Sequence, residues 1–375
     1  MEDLYADVNG VRMCQARTQL SVVNGEADRK VLVTASGAHY ELVRTLKQCI
    51  YGKVKHAVRL VERDGALVRL EPFQNVAIKI ISRAMLDEGR LAENPMVELR
   101  VQQRLSDPGH ANVLGIVDVV FDDQYVYAVL PYCNGGELFS VIEERGAMTQ
   151  PQARHFFGQI ARGLVYLHSH AVCHRDMSLE NVLLHTPEGA EAAGGAAAAE
   201  RALIIDFGLC IHPVHMAEDG ETSLPMPSAQ RAGKLAYMAP EVYLPQGQFV
   251  PFAIDMWCMG VMLFIMCTGA PPYEHPHAQD PRFALIVGGR LDNLLHQWGF
   301  ADKLPGSVVG RWRGCCCCCC CCCCCCRRRR RCLSPALPFP LPHAHSDLMQ
   351  RCLTLDPAAR ITASQALAHP WFQEQ

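Results

Sequence analysis

The sequence predicts an α+β chain in two lobes, a small antiparallel β-sheet lobe with one main helix followed by a larger, mostly α-helical lobe. Three observations carry this expectation. At 375 residues the chain is long for one hydrophobic core and suits two packed lobes. From Tyr40 to about residue 130, short β-like runs alternate with turns. Beyond residue 135, apolar residues recur at helical spacing, as at Phe156, Ile160, Leu164 and Leu167 within Gln152–His168.

Composition narrows the function. Half of the residues are hydrophobic and 19% are charged, ordinary for a soluble globular protein. A net charge of −3 gives no case for a nucleic-acid partner. The start, Met1-Glu2-Asp3-Leu4, lacks the apolar core of a signal peptide, and the longest apolar stretch, Trp257–Ala270, is too short to span a bilayer. An intracellular, cytoplasmic protein without a membrane partner is therefore expected. Of 21 cysteines, 12 form the run 315–326, and the other nine show no paired CxxC spacing, as expected of free thiols in a reducing compartment.

Three short motifs carry chemistry. Val76-Ala77-Ile78-Lys79 is a buried-strand pattern ending in a cation. His174-Arg175-Asp176-Met177-Ser178-Leu179-Glu180-Asn181 offers a carboxylate able to orient and deprotonate a hydroxyl (Asp176). Five residues later it offers an amide able to hold a metal (Asn181). Asp206-Phe207-Gly208 adds a second metal-binding carboxylate and an apolar switch residue. A lysine for phosphates, two metal ligands and a base, in this order, form the set needed to move a phosphoryl group from ATP. On these residues the chain resembles the eukaryotic protein kinase superfamily, serine/threonine type, from about Tyr40 to Phe372. Gly135-Gly136-Glu137-Leu138-Phe139 and the closing His369-Pro370-Trp371-Phe372 look nearest to the calcium/calmodulin-dependent and related groups. The resemblance implies a bilobal protein kinase fold, ATP and Mg²⁺ as cofactors, and a protein substrate and an activating kinase as partners.

Taken in order, residues 1–39 show no strong periodicity and are expected to be an N-terminal leader, flexible or carrying extra strands. Residues 40–130 form the small lobe. Leu46–Val54 aligns with the family's glycine-rich strand-turn-strand, but only Gly52 remains; Lys47 and Cys49 stand where the first two glycines are usual. Those glycines let backbone amides approach phosphates, so their absence predicts looser phosphate clamping. Lys47 either compensates by charge or is simply exposed. The resemblance gives Lys79 the α- and β-phosphates and an ion pair with a helix glutamate. Glu98, in the segment Met96–Leu105 that Asn94-Pro95 opens, is the candidate, with Glu93 a rival before the proline. Gln102, one turn after Glu98, stands where the family has an apolar side chain, and hints at a loosely docked helix. By the same resemblance Leu46, Gly52, Val54, Ala77, Leu130 and Leu183 line the nucleotide pocket. The hinge 131–134 contributes Tyr132 and Cys133, and Glu137 touches the ribose, although a plain helix-start acid looks the same.

Residues 135–372 form the large lobe. The resemblance makes His174 a wedge on Phe207, and Arg175 the residue that often requires a phosphate on the activation segment. That segment runs from Asp206 through Gly208 to Glu241; Thr222, Ser223 and Ser228 are candidate phosphosites. Glu241 is expected to pair with Arg360, and Asp255 to anchor the catalytic-loop backbone. Ser178 replaces a lysine that normally steadies the γ-phosphate, and Lys234, in Gly233-Lys234-Leu235-Ala236-Tyr237, replaces a threonine that faces it. The chain has exchanged the two, and Lys234 is expected to reach back with the missing charge.

Two biased stretches interrupt the pattern. Residues 187–200, rich in Ala and Gly, lengthen the turn between two β-like runs, which costs little closure entropy. Residues 306–345 carry the cysteine run, five arginines and a Pro-Leu-Phe tract; they read as a low-complexity insertion or untrimmed non-coding sequence, and the helical pattern resumes at Ser346. The competing functional class is a pseudokinase, a nucleotide-binding scaffold with little or no turnover. The eroded glycine loop, Ser178 and Gln102 favour it; intact Lys79, Asp176, Asn181 and Asp206 oppose it.

Overall fold

A computed structural model of the chain describes residues 5–87, 94–187, 199–227, 231–245, 247–299 and 344–373. Most of the insertion at 306–345 and of the Ala/Gly-rich loop, together with Glu93 and Ser228, lie outside the described residues.

The small lobe is built on one sheet. Its strands are β1 (Tyr5–Val8), β2 (Val11–Val23), β3 (Glu26–Thr34), β4 (His39–Cys49), β5 (Gly52–Arg63), β6 (Ala66–Arg69), β7 (Asn75–Ser82), β8 (Asp118–Phe121) and β9 (Tyr125–Pro131). The order is β1-β2-β3-β4-β5-β7-β9-β8, with β6 alongside β5. Strand β2 also pairs in parallel with β8, Cys14 opposite Val120 and Gln15 opposite Phe121, so the sheet closes on itself. Closure removes an exposed edge. Leu32, Tyr40, Ile78, Val120 and Tyr127 fill the interior.

The lobe therefore begins well before Tyr40. Residues 5–34, expected to be a leader, are strands, and the flexible alternative is corrected. The sequence hides them because the hydrophobic period is blurred. Positions Cys14, Ala16 and Thr18 are small or polar, while Leu20 and Val22 are apolar yet 67% and 57% exposed.

Two helices follow β7. The short α1 spans Arg83–Asp87, and α2 spans Pro95–Leu105. Asn94 caps α2, its side chain accepting from Met96 N and Val97 N, and Pro95 fills the first turn, as the sequence predicted. Helix α2 buries Leu99 against Val11, Met13, Tyr51, Ile81 and Ala128 on the outer face of the sheet.

The large lobe is helical: α3 (Leu138–Arg145), α4 (Gln150–Ser169), α5 (Pro240–Tyr243), α6 (Pro251–Thr268), α7 (Pro281–Val287), α8 (Leu291–Gln297), α9 (Ala344–Cys352) and α10 (Ala363–Leu367). Thr149 and Gln152 form a capping box at the start of α4. Among the described residues, α6 is the one helix long and apolar enough to cross a membrane, and every residue of it is buried within the lobe. A core helix passes the same test. A small sheet of β10 (Gly136–Glu137), β11 (Val182–His185) and β12 (Arg201–Ile204) lies at the junction of the lobes.

Candidate active site between the lobes

Strand register sets the roof of the cleft. In β7, Lys79 stands opposite Val54 of β5 and Ala128 of β9, and Ala77 opposite His56 and Leu130. Leu130 is 9% exposed. Below, Glu137 of β10 pairs with Leu183 of β11. Strand β9 runs into the connector, where Tyr132 lies tilted against His56 with ring centroids 4.8 Å apart, and burial pushes the Cys133 thiol up to about 11.

Lys79 reaches Glu98 of α2 through both carboxylate oxygens, at 2.6 and 2.7 Å, and both residues are buried. Burial alone would pull the lysine's pKa down. The carboxylate of Glu98, then Tyr51 and Asp206, outweigh it, and the net direction is up. Gln102 does not loosen the helix: buried, it donates from Nε2 to the carbonyl of Leu114 at 3.0 Å and pins α2. A buried amide that finds a backbone partner avoids the cost of an unpaired polar group and adds a directional bond.

Sequence reasoning passed over Tyr51. Directly before Gly52, it folds inward to 3% exposure, donates its hydroxyl to Glu98 at 3.3 Å, and lies beneath the Lys79 ammonium, 5.0 Å from the ring centre. An aromatic residue beside the sole surviving glycine of the loop was the available signal. Gly52 itself serves the sheet, since a Cβ there would stand 1.8 Å from the carbonyl oxygen of Ile80. Leu46 is 36% exposed at the outer end of β4. Lys47 leans across the mouth of the cleft to Glu137, Nζ to Oε1 at 2.7 Å, with the lysine 62% exposed.

The catalytic loop is held from beneath. Asp255, fully buried in α6, accepts from the backbone amides of His174 and Arg175, each at 2.9 Å, and from His168 Nε2 at 3.0 Å. Burial would raise its carboxyl, but His168, His174 and these amides win and hold it below the usual range. Arg175 takes a left-handed φ of 65°, a strain this double anchor supports. His174 packs on Phe207, ring centroids 5.3 Å apart, and bonds the carbonyl of Ile205 at 2.9 Å. Phe207 is fully buried in the large-lobe core. Asp206 takes φ 69°, and its Oδ1 accepts from Gly208 N at 3.3 Å.

Asp176 and its neighbours form one bonded group. Asn181 donates from Nδ2 to the Asp176 carbonyl at 2.8 Å and to its Oδ2 at 2.7 Å. Asn181 accepts on its own carbonyl from Ile205 N at 3.0 Å, next to Asp206. With its amide hydrogens directed at Asp176, the Asn181 side-chain oxygen and the Asp206 carboxylate are the hard donors that suit Mg²⁺, which favours few protein ligands completed by phosphate oxygens. Lys234 enters from the activation segment. Its backbone N donates to Asp176 Oδ1 at 3.0 Å, and its ammonium lies 3.1 Å from Asp176 Oδ2 and 2.8 Å from Ser178 Oγ. Ser178 is fully buried.

The activation segment is docked. Glu241 meets Arg360 in a two-pronged pair at 2.7 and 3.2 Å, with the guanidinium stacked 5.1 Å over Trp257. Ser223 is 5% exposed and accepts from Phe252 N at the start of α6, while Thr222 bonds Asp219 on the surface.

Comparison with known proteins follows the same lines. The family model described as Protein kinase domain matches residues 66–372. CBL-interacting protein kinase 1 of Oryza sativa subsp. japonica is 31% identical over 353 residues, 94% of this chain and 60% of that protein. Serine/threonine-protein kinase SAPK9 of the same species is 28% identical over 350 residues, 93% of this chain and 76% of that protein. CBL-interacting serine/threonine-protein kinase 9 of Arabidopsis thaliana is 32% identical over 241 residues, 64% of this chain and 46% of that protein. The chain spans about half the length of the first of these curated relatives it matches.

Proposed function

The chain belongs to the eukaryotic protein kinase superfamily, serine/threonine type, and from that premise we propose that it is an active ATP-dependent kinase transferring the γ-phosphoryl group to a protein hydroxyl. The observation that carries this is the Lys234 ammonium beside Asp176 and Ser178: the cation absent at position 178 is present in the site from another segment.

Each group then has a task. Asp176, oriented by Asn181 and by the backbone of Lys234, accepts the proton of the substrate hydroxyl. Lys79, kept charged by Glu98, meets the α- and β-phosphates. Lys234 stabilises negative charge developing on the transferred group. Asn181 and Asp206 would hold Mg²⁺, which would supply neutralisation of phosphate charge. The test is transfer of label from γ-labelled ATP to a generic protein substrate, wild type against Asp176→Asn. Equal labelling rejects the catalytic reading.

One observation favours a second reading. The Lys47–Glu137 bridge occupies the carboxylate assigned to the ribose, and the loop lacks two of its glycines. A scaffold that binds nucleotide weakly and turns nothing over fits this. Activity of the wild type above Asp176→Asn removes it.

A further inference from the structure

We propose that the N-terminal strands are a built-in positioning element for α2, with Gln103 as the positioning residue: β1 and β2 hold the helix where Glu98 meets Lys79. In its consequence for phosphoryl transfer the proposal rests on the kinase reading; as a statement about where α2 sits it stands alone.

Four observations converge on it. First, the Gln103 side chain takes both main-chain groups of Arg12, 91 residues away in sequence. Its Oε1 accepts from Arg12 N at 3.0 Å, and its Nε2 donates to Arg12 O at 2.6 Å. A carboxamide that satisfies a strand's donor and acceptor together acts as one more strand residue, joining the helix to β2 by directional bonds. Second, the β1–β2 turn sits against the same helix. Gly10 has φ +77°, and a Cβ there would stand 2.8 Å from Arg100 Cδ. Third, Val11 and Met13 of β2 share an apolar cluster with Leu99 of α2 and with Tyr51. Fourth, β2 is itself held: it pairs with β8, and Tyr5 of β1 donates to Asp118 of β8 at 3.1 Å.

These contacts lead to the catalytic pair. Leu99 and Gln103 are one turn apart on the helix, and Glu98 adjoins Leu99. Tyr51, in the same cluster, donates to Glu98. Without β1 and β2, the outer side of α2 would lose its polar anchor and much of its apolar cover, and the helix could swing away from Lys79. The family match begins at residue 66, so this support comes from strands outside the matched region.

The experiment is amide hydrogen exchange on the full chain, wild type against Gln103→Ala. Gln103 lies at the rim of the helix, half-buried, so truncation opens no core cavity. Peptides covering 95–105 are expected to exchange roughly tenfold faster, while those from α6 and from β5 and β7 keep their wild-type rates. Unchanged exchange over 95–105 overturns the proposal. So does equal acceleration across β4–β7, which means general loosening of the lobe. Should Gln103→Ala fail to fold, Gln103→Glu keeps the acceptor for Arg12 N, removes the donor to Arg12 O and carries the same readout. Phosphoryl transfer measured alongside is expected to fall in kcat. An inactive wild type would sink the kinase reading, and the exchange rates would still judge the clamp.

Discussion

Lys234→Ala isolates the charge exchange between positions 178 and 234. The ammonium lies 3.1 Å from Asp176 and 2.8 Å from Ser178, and the side chain is 36% exposed. A unit charge about 4 Å from a developing charge is worth about 4 kcal/mol at the effective dielectric of a protein surface. Partial exposure and screening reduce this to about 2 kcal/mol. At about 1.4 kcal/mol per decade, kcat should fall roughly 30-fold. The KM for ATP should move little, because Lys79 and the metal ligands are untouched. The assay is the initial rate of γ-phosphoryl transfer to a generic protein substrate, with Asp176→Asn as the background. Ser178→Lys combined with Lys234→Thr, which restores the usual family arrangement, should recover most of the loss. A Lys234→Ala kcat within twofold of wild type would refute the reasoning, as would a double variant no faster than Lys234→Ala.

Three further outcomes are expected. Glu241→Ala leaves the Arg360 guanidinium, wholly shielded from solvent, without its carboxylate, and should cost about 3–5 kcal/mol in denaturant unfolding; a loss under about 1 kcal/mol would contradict the buried pair. Gly52→Ala drives a Cβ into the Ile80 carbonyl and should lower the melting temperature by about 4 °C or more, measured by calorimetry, with no change meaning that β5 and β7 can part freely. Asp255 is held below its unfolded value, so its contribution is full above about pH 4 and fades as pH falls through the depressed folded value. Asp255→Asn should therefore be less stable near neutrality and show a flatter acid limb in denaturant midpoints; parallel pH profiles would count against this.

Much of the site was legible because its motifs are local. Val76–Lys79, His174–Asn181 and Asp206–Gly208 each lie on one strand or loop, and their spacing survives translation into structure. Asn94 and Pro95 announced the start of α2 through capping geometry that depends on neighbouring residues alone. The Lys234 position was legible because its opposite number, Ser178, departed from pattern in a complementary way. Gln102 misled, since polarity at one helix position says nothing about whether a distant carbonyl, here that of Leu114, is waiting for it.

By itself the sequence determined the order of the lobes, the three motifs that bring Lys79, Asp176, Asn181 and Asp206, and the helix that carries Glu98. Tertiary structure alone decided that residues 5–34 close the small-lobe sheet, that Tyr51 turns inward under Lys79, and that Gln103 reads the backbone of Arg12. The physical reason is the same for all three. Strand pairing and side-chain-to-backbone bonds between residues tens of positions apart leave no periodic trace in either segment, because each partner's chemistry is satisfied only once the chain has folded.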